Sequence, residues 1–99
     1  MYIQDNIIKI TYACSATEEE IQKLIDELKK NLNSNSSIDT IYIYNDDMPI
    51  SLLVYIMDLL TKDSIVLYVN MNLANRLQKI IDAELFQQNI RILQWVKTH

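Results

Sequence analysis

The sequence contains no glycine, and it has only one cysteine, one proline and one histidine. Glycine supplies positive backbone φ angles and lets the backbone approach phosphates closely, so its absence excludes the phosphate-binding loop and the dinucleotide-binding fingerprint. We expect asparagine, aspartate and serine to form the turns instead. A single cysteine cannot form an intrachain disulfide, and no signal-peptide pattern opens the sequence, so we expect a cytoplasmic protein.

Residues that could support catalysis or bind a metal are scarce. The only histidine is His99, the last residue, so a Ser–His or Cys–His nucleophile would lack its base and zinc would lack its ligands. Cys14 ends an apolar stretch, where we expect a buried core residue. Asp46 and Asp47 could ligate Mg²⁺, but an aspartate pair before Pro49 more commonly turns the chain and caps a helix. We therefore expect no enzyme activity, no metal and no cofactor.

The charge pattern bears on the kind of partner. The 99 residues carry a formal net charge of -4, and the nine basic residues are scattered, whereas a nucleic-acid binder needs lysine and arginine to displace counterions from phosphate. We interpret the tyrosines as core and sheet-surface residues and not as a platform for base stacking, which would also need a basic groove. We expect no nucleic-acid binding. The near-apolar run 48–57 is too short to span a bilayer, so we expect no membrane insertion.

Hydrophobic periodicity predicts strands alternating with helices. The predicted strands cover residues 7–14, 38–44, 64–70 and 90–96, with a short edge strand near residues 2–3. A capping box at 15–18 opens a helix that runs to about residue 32, and further helices cover about 49–60 and 73–86. This order predicts one α/β domain over residues 1–99, with a mostly parallel or mixed sheet of four to five strands and about three helices.

Two apolar segments carry more specific expectations. The helix at 49–60 is apolar nearly all round, which predicts a helix that is buried on most sides or covered by a partner. The run 65–69 is continuously apolar, which predicts a strand covered on both faces. We expect the strands at 38–44 and 65–69 to be adjacent and central.

From about Ile7 to Ile92, the order of elements resembles the STAS domain, the module of anti-sigma factor antagonists and sulphate-transporter tails. The best local matches are residues 41–54 and residues 73–81, followed by Leu85-Phe86 and Ile90-Arg91-Ile92. The resemblance implies a small non-catalytic α/β interaction domain. In that family, an Asp-Ser-Ser-Gly signature follows the strand, and its second serine accepts phosphate in antagonists. Ser51 falls on that serine, while Pro49, Ile50 and Leu52 stand at the other signature positions, so the resemblance implies Ser51 as the phosphate acceptor.

A second resemblance is confined to one segment. Residues 40–57 are similar to the strand–loop–helix of Clp-protease and crotonase-type folds. The chain lacks the glycines and the catalytic triad of those folds. This resemblance therefore implies at most an inactive relative.

These observations lead to two hypotheses of function. The first is a cytoplasmic, regulatory protein-interaction domain. Its partner contacts the second helix and the acidic loop, which is the segment between the second predicted strand and that helix. The predicted contact residues are Asp46, Asp47, Met48, Ile50, Ser51 and Leu53. The alternative is a small acidic inhibitor or immunity protein that neutralises a basic toxin or nuclease. Both hypotheses leave open whether the chain also forms a homo-oligomer.

Overall fold

The computed structural model describes residues 1–62 and 64–93, which form an α/β fold with a five-stranded mixed sheet and four helices. The predicted fold class is therefore confirmed. The strands are β1 (Tyr2–Gln4), β2 (Ile7–Ile10), β3 (Thr40–Ile43), β4 (Val66–Val69) and β5 (Ile90–Ile92). The helices are α1 (Glu18–Ser34), α2 (Ile50–Lys62), α3 (Met71–Gln78) and α4 (Ala83–Asn89).

The strands lie in the sheet in the order of the sequence. β1 and β2 form an antiparallel hairpin, and β2, β3, β4 and β5 are parallel neighbours. Each crossover therefore steps the same way along the sheet, and right-handed crossovers of this kind bring the connecting helices to the same face. β3 and β4 are adjacent in the middle of the sheet, as the sequence predicts.

The core lies between the helices and this one face of the sheet. In β2, β3 and β4, buried residues alternate with partly exposed ones, as in a sheet that is covered on one side. The fully buried strand residues are Ile8, Ile10, Ile41, Ile43, Leu67 and Val69. The helices contribute stripes at helical spacing, among them Ile21, Ile25 and Leu28 of α1 and Leu52, Ile56 and Leu59 of α2.

The strand predictions need two corrections. Cys14 is exposed and not buried, because β2 ends at Ile10 and Cys14 lies in the loop that leads to α1. The β4 strand is covered on one face only, since Val66 and Tyr68 remain partly exposed on the side away from the helices. A continuous apolar run does not distinguish one covered face from two when valine and tyrosine occupy the outer positions.

The helix predictions also change in detail. The capping box uses Thr17 and Glu20, two residues beyond the predicted Ser15 and Glu18. The predicted third helix is two helices, α3 and α4, because the chain turns between Gln78 and Ala83 and leaves Ile80 59% exposed. α2 buries Leu52, Leu53, Ile56, Leu59 and Leu60 and leaves Ile50 and Val54 exposed on its other side.

As expected, a residue other than glycine takes the turn position that needs a positive φ. The hairpin between β1 and β2 has Asp5 at a φ of 55°, the one positive φ found in the described residues. Aspartate tolerates this left-handed region better than most side chains do. The predicted extension of β5 to residue 96 lies outside the described residues.

Candidate functional site

The carboxyl ends of β2, β3 and β4 meet at one edge of the sheet, which we call the carboxyl edge. The segments that leave these strands are the β2–α1 loop, the acidic loop of residues 44–49, and Asn70. In open α/β sheets, ligands bind in the crevice outside the carboxyl ends of the strands. The predicted site residues follow β3 at this edge.

Asn45 fixes the acidic loop to the end of β2. The Tyr12 backbone N–H donates to Asn45 Oδ1 at 3.1 Å, and Asn45 Nδ2 donates to the Tyr12 carbonyl at 2.5 Å. The asparagine amide thus extends the parallel pairing of β2 and β3 beyond the last backbone pair of the two strands. The sequence does not predict this role, because a single asparagine after a strand carries no pattern that specifies its partner.

Asp46 connects the same loop to the next strand. Its Oδ1 accepts a hydrogen bond from Asn70 Nδ2 at 2.5 Å. Asn70 follows β4 and also caps α3, since its Oδ1 accepts from the Leu73 backbone N–H at 2.8 Å. One asparagine therefore joins the acidic loop to the start of a helix.

Asp47 makes contacts on both sides of the acidic loop. Its Oδ1 accepts from the Met48 backbone N–H at 2.8 Å and lies 3.4 Å from Arg76 Nη1. This ion pair is exposed, so it contributes little to stability. The Asp47 carbonyl accepts a hydrogen bond from the Tyr12 hydroxyl at 2.5 Å. Burial raises the pKa of Tyr12 above its ordinary value, and the negative charge of Asp47 raises it further.

A cavity of about 540 Å³ lies between the β2–α1 loop and the acidic loop. Its walls include Tyr12, Cys14, Tyr44 and Pro49. Asp46 and Asp47 are the charged side chains among the described residues that line it. The cavity therefore combines aromatic surface with negative charge.

The predicted contact residues divide into exposed and buried positions. Asp46 and Asp47 are exposed, and Ile50 is 77% exposed at the start of α2. Met48 and Leu53 are buried in the core, so their side chains offer little surface to a partner. Val54 is 62% exposed one turn after Ile50, and it was missed, although its spacing of four residues from Ile50 places both on one face.

Ser51 lies in the first turn of α2, is partly buried, and lines a cavity between α1 and α2. Its Oγ is buried and makes no hydrogen bond to any described residue. Transfer of phosphate to this oxygen would require the first turn of α2 to open. Phosphorylation of Ser51 stays a prediction.

Two further observations concern the described residues only. No group of three or more histidine, cysteine, aspartate or glutamate side chains in residues 1–62 and 64–93 could hold a metal ion. Within the same ranges, no helix has both the length and the apolar character that crossing a membrane requires.

Comparison of this chain with models of known protein families, with curated proteins and with solved structures found no match.

Proposed function

We propose that this chain is a non-catalytic protein-interaction domain that binds a protein partner through the acidic loop and the exposed face of α2. The observation that carries the proposal is the exposure of Ile50 and Val54. These two branched apolar side chains lie one turn apart on α2, directly after two exposed carboxylates. Apolar centres with charged surroundings are the usual composition of a protein-binding surface.

The fixed shape of the acidic loop supports this proposal. Asn45, Asp46 and Asp47 are consecutive, and each contacts a different part of the chain: Tyr12, Asn70 and Arg76. A loop that is already ordered loses less conformational entropy when a partner binds. The loop can therefore present its charge and the start of α2 in one arrangement.

The order of the strands supports a STAS-like architecture for this domain. A strand hairpin is followed by parallel strands in sequence order, with the helices on one face. The segments that resemble the STAS domain overlap β3, the start of α2, α3, α4 and β5. A regulatory role and a cytoplasmic location are parts of the same proposal.

The alternative function, an acidic inhibitor of a basic toxin or nuclease, has an observation of its own. Glu18, Glu19 and Glu20 form the first turn of α1 after the loop from β2, and Asp46 and Asp47 follow β3. Both segments leave the carboxyl edge, so five carboxylates are on the same side of the sheet. Such a field would speed the association of a basic partner.

Affinity capture from the native cell tests the proposal. Three tagged baits are compared. They are the wild-type chain, the double variant Ile50→Ser with Val54→Ser, and the control variant Ile80→Ser. Ile80 is a matched control because it is an exposed isoleucine on a different segment. We expect a protein that the wild type and Ile80→Ser retain and that the double variant loses.

Retention of the same proteins by all three baits would contradict the proposal.

The salt dependence of association with a captured partner separates the two functions. A basic toxin would associate much faster at low ionic strength, and Asp46→Asn with Asp47→Asn would remove most of that acceleration. A partner held mainly by the apolar face of α2 would show a small salt effect. If the captured protein is a second copy of this chain, the surface is a homo-oligomer interface.

A further inference from the structure

The face of the sheet that points away from the helices, the open face, carries one row of side chains from all five strands. Tyr2 pairs with Lys9, Lys9 with Tyr42, Tyr42 with Tyr68, and Tyr68 with Arg91. Partners in register project from the same face of a sheet. Across the width of the sheet, the row therefore consists of Tyr2, Lys9, Tyr42, Tyr68 and Arg91, so two cations lie beside aromatic rings.

Four side chains of this row, those of Tyr2, Lys9, Tyr42 and Tyr68, are in contact with their neighbours. Lys9 Nζ lies 5.9 Å from the ring centroid of Tyr2 and 6.0 Å from that of Tyr42. The ring centroids of Tyr42 and Tyr68 are 4.8 Å apart, and that of Tyr44 is 6.3 Å from Tyr42. These contacts place an ammonium group among aromatic rings that remain partly accessible.

The charge of the open face is opposite to that of the whole chain. The formal net charge of the chain is -4, yet the charged side chains that the five strands project from this face are Lys9 and Arg91. Neither cation forms an ion pair with a described residue. One guanidinium nitrogen of Arg91 donates to the carbonyls of Gln87 and Ile90, and its other N–H groups remain available.

The size of the open face limits what it can bind. Five strands about 4.8 Å apart and three to four residues long give a flat face of about 20 Å by 13 Å. This is about a third of the roughly 800 Å² per partner that a stable protein–protein interface buries. The face is therefore smaller than a typical protein–protein interface, and its size fits a few stacked nucleotides.

We propose that the open face binds a short segment of single-stranded nucleic acid. Bases stack on the accessible tyrosine rings, and Lys9 and Arg91 pair with the phosphates, as in other single-strand binding surfaces. This inference goes beyond the proposed function, because it uses the face of the sheet and none of the partner-binding residues. The sequence predicts no nucleic-acid binding because its basic residues are scattered, and this proposal departs from that expectation. The strand register brings two of the basic residues next to the tyrosines.

Fluorescence anisotropy with a labelled twelve-residue oligothymidylate, and with the matching oligouridylate, tests the proposal at low salt. The variant Lys9→Glu reverses the central charge, and Lys30→Glu makes the same change on the exposed surface of α1. We expect Lys9→Glu to weaken binding about tenfold or more and Lys30→Glu to leave it nearly unchanged. For two phosphate contacts, log K should fall with log salt with a slope of about -1.4.

A second arm tests the role of the bases. An abasic oligonucleotide of equal length keeps the phosphates, so we expect it to bind at least several-fold more weakly than oligothymidylate. Tyr2→Leu and Tyr68→Leu should reduce this difference. Tyr2 is an exposed residue of the edge strand, so its variant keeps the test valid if Tyr68→Leu does not fold.

Three outcomes would overturn the proposal. They are no binding by the wild type, equal binding of the abasic oligonucleotide, and equal losses in Lys9→Glu and Lys30→Glu. A concentration-dependent dimer in sedimentation that Lys9→Glu abolishes would instead assign the open face to a second copy of the chain. Circular dichroism on each variant verifies that the fold is intact.

Discussion

Tyr12 and Asn45 exchange two hydrogen bonds across the ends of β2 and β3, with the asparagine amide acting as both donor and acceptor. The two bonded atoms of Tyr12 are backbone atoms, so the contact depends on the side chain of Asn45 alone. Both groups are partly buried, where a lost hydrogen bond is not fully replaced by water. The attachment of the acidic loop to the end of β2 therefore depends largely on this side chain.

Replacing that side chain should destabilise the protein. Asn45→Ala leaves a partly buried N–H and a carbonyl without partners, and we expect a loss of about 1–3 kcal/mol in the free energy of unfolding. Asn33→Ala changes an exposed asparagine and should stay within about 0.5 kcal/mol. Urea denaturation measures both values. Equal losses would contradict the role that we assign to Asn45.

The start of α1 provides a second test with an internal control. Thr17 Oγ1 accepts from the Glu20 N–H at 3.2 Å, and Glu20 Oε1 accepts from the Thr17 N–H at 3.2 Å. We expect Thr17→Ala to lower the free energy of unfolding by about 1 kcal/mol. Ser15→Ala, at the position that sequence analysis assigned to the cap, should have almost no effect. The reverse ranking in thermal or urea denaturation would restore Ser15 as the cap.

Sequence patterns predicted the fold better than the ends of its elements. Period-two alternation and helical stripes depend on the many residues that form the core, so they located β3, α1 and α2 within a few residues. An end depends on one or two polar contacts. Ser15-Ala16-Thr17-Glu18 and Thr17-Glu18-Glu19-Glu20 both satisfy the capping-box pattern, and only the tertiary position of the β2–α1 loop selects the second.

The candidate site was predictable only as a location. The sequence placed Asp46, Asp47 and Ile50 at the carboxyl edge, and the structure brings them to the surface together. The contacts of Asn45 and Asp46 join residues 33 and 24 positions apart, and no local pattern encodes such pairs. Leu53 is predicted in the contact surface because the sequence shows the second helix as apolar all round and does not indicate which face is buried. Met48 is predicted there because it belongs to the acidic loop.

Neighbouring positions at the start of α2 should respond very differently to truncation. Leu52 is fully buried and Ile50 is mostly exposed. Leu52→Ala should lower the free energy of unfolding by about 2–5 kcal/mol, because it removes buried methyl groups and leaves a cavity. Ile50→Ala should change it by less than about 0.5 kcal/mol and should act on partner binding instead. A large loss of stability in Ile50→Ala would contradict the exposed position of Ile50.

The alkaline titration of the protein should show a delayed ionisation of Tyr12. Burial and, secondarily, Asp47 raise the pKa of Tyr12, so the folded state keeps this proton at pH values where the unfolded state loses it. Any stability gained from the neutral phenol is complete below the ordinary pKa of 10.0 and decreases as pH rises above it. Absorbance at 295 nm, compared with Tyr12→Phe, should show that Tyr12 is still protonated at about pH 11. Asp47→Asn should remove only the smaller part of the delay.

Ser51 offers the last test, because its buried Oγ has no hydrogen-bond partner among the described residues. An unsatisfied buried hydroxyl is unfavourable, and alanine has the higher helix propensity, so Ser51→Ala should raise the free energy of unfolding by about 1 kcal/mol. Ser51→Thr, which keeps the unsatisfied hydroxyl and has a lower helix propensity than serine, should lower it.

A loss of stability in Ser51→Ala would mean that the hydroxyl is hydrogen-bonded in solution, for example to a water molecule.

The burial of Ser51 Oγ also affects phosphorylation. A phosphate at Ser51 would place about two negative charges at a buried oxygen, and this desolvation opposes the favourable field of the helix start. If Ser51 is an acceptor, modification should therefore loosen the first turn of α2 and displace Ile50. Hydrogen exchange of residues 50–54, measured on Ser51→Asp and on wild type, detects this loosening, and unchanged protection would contradict it.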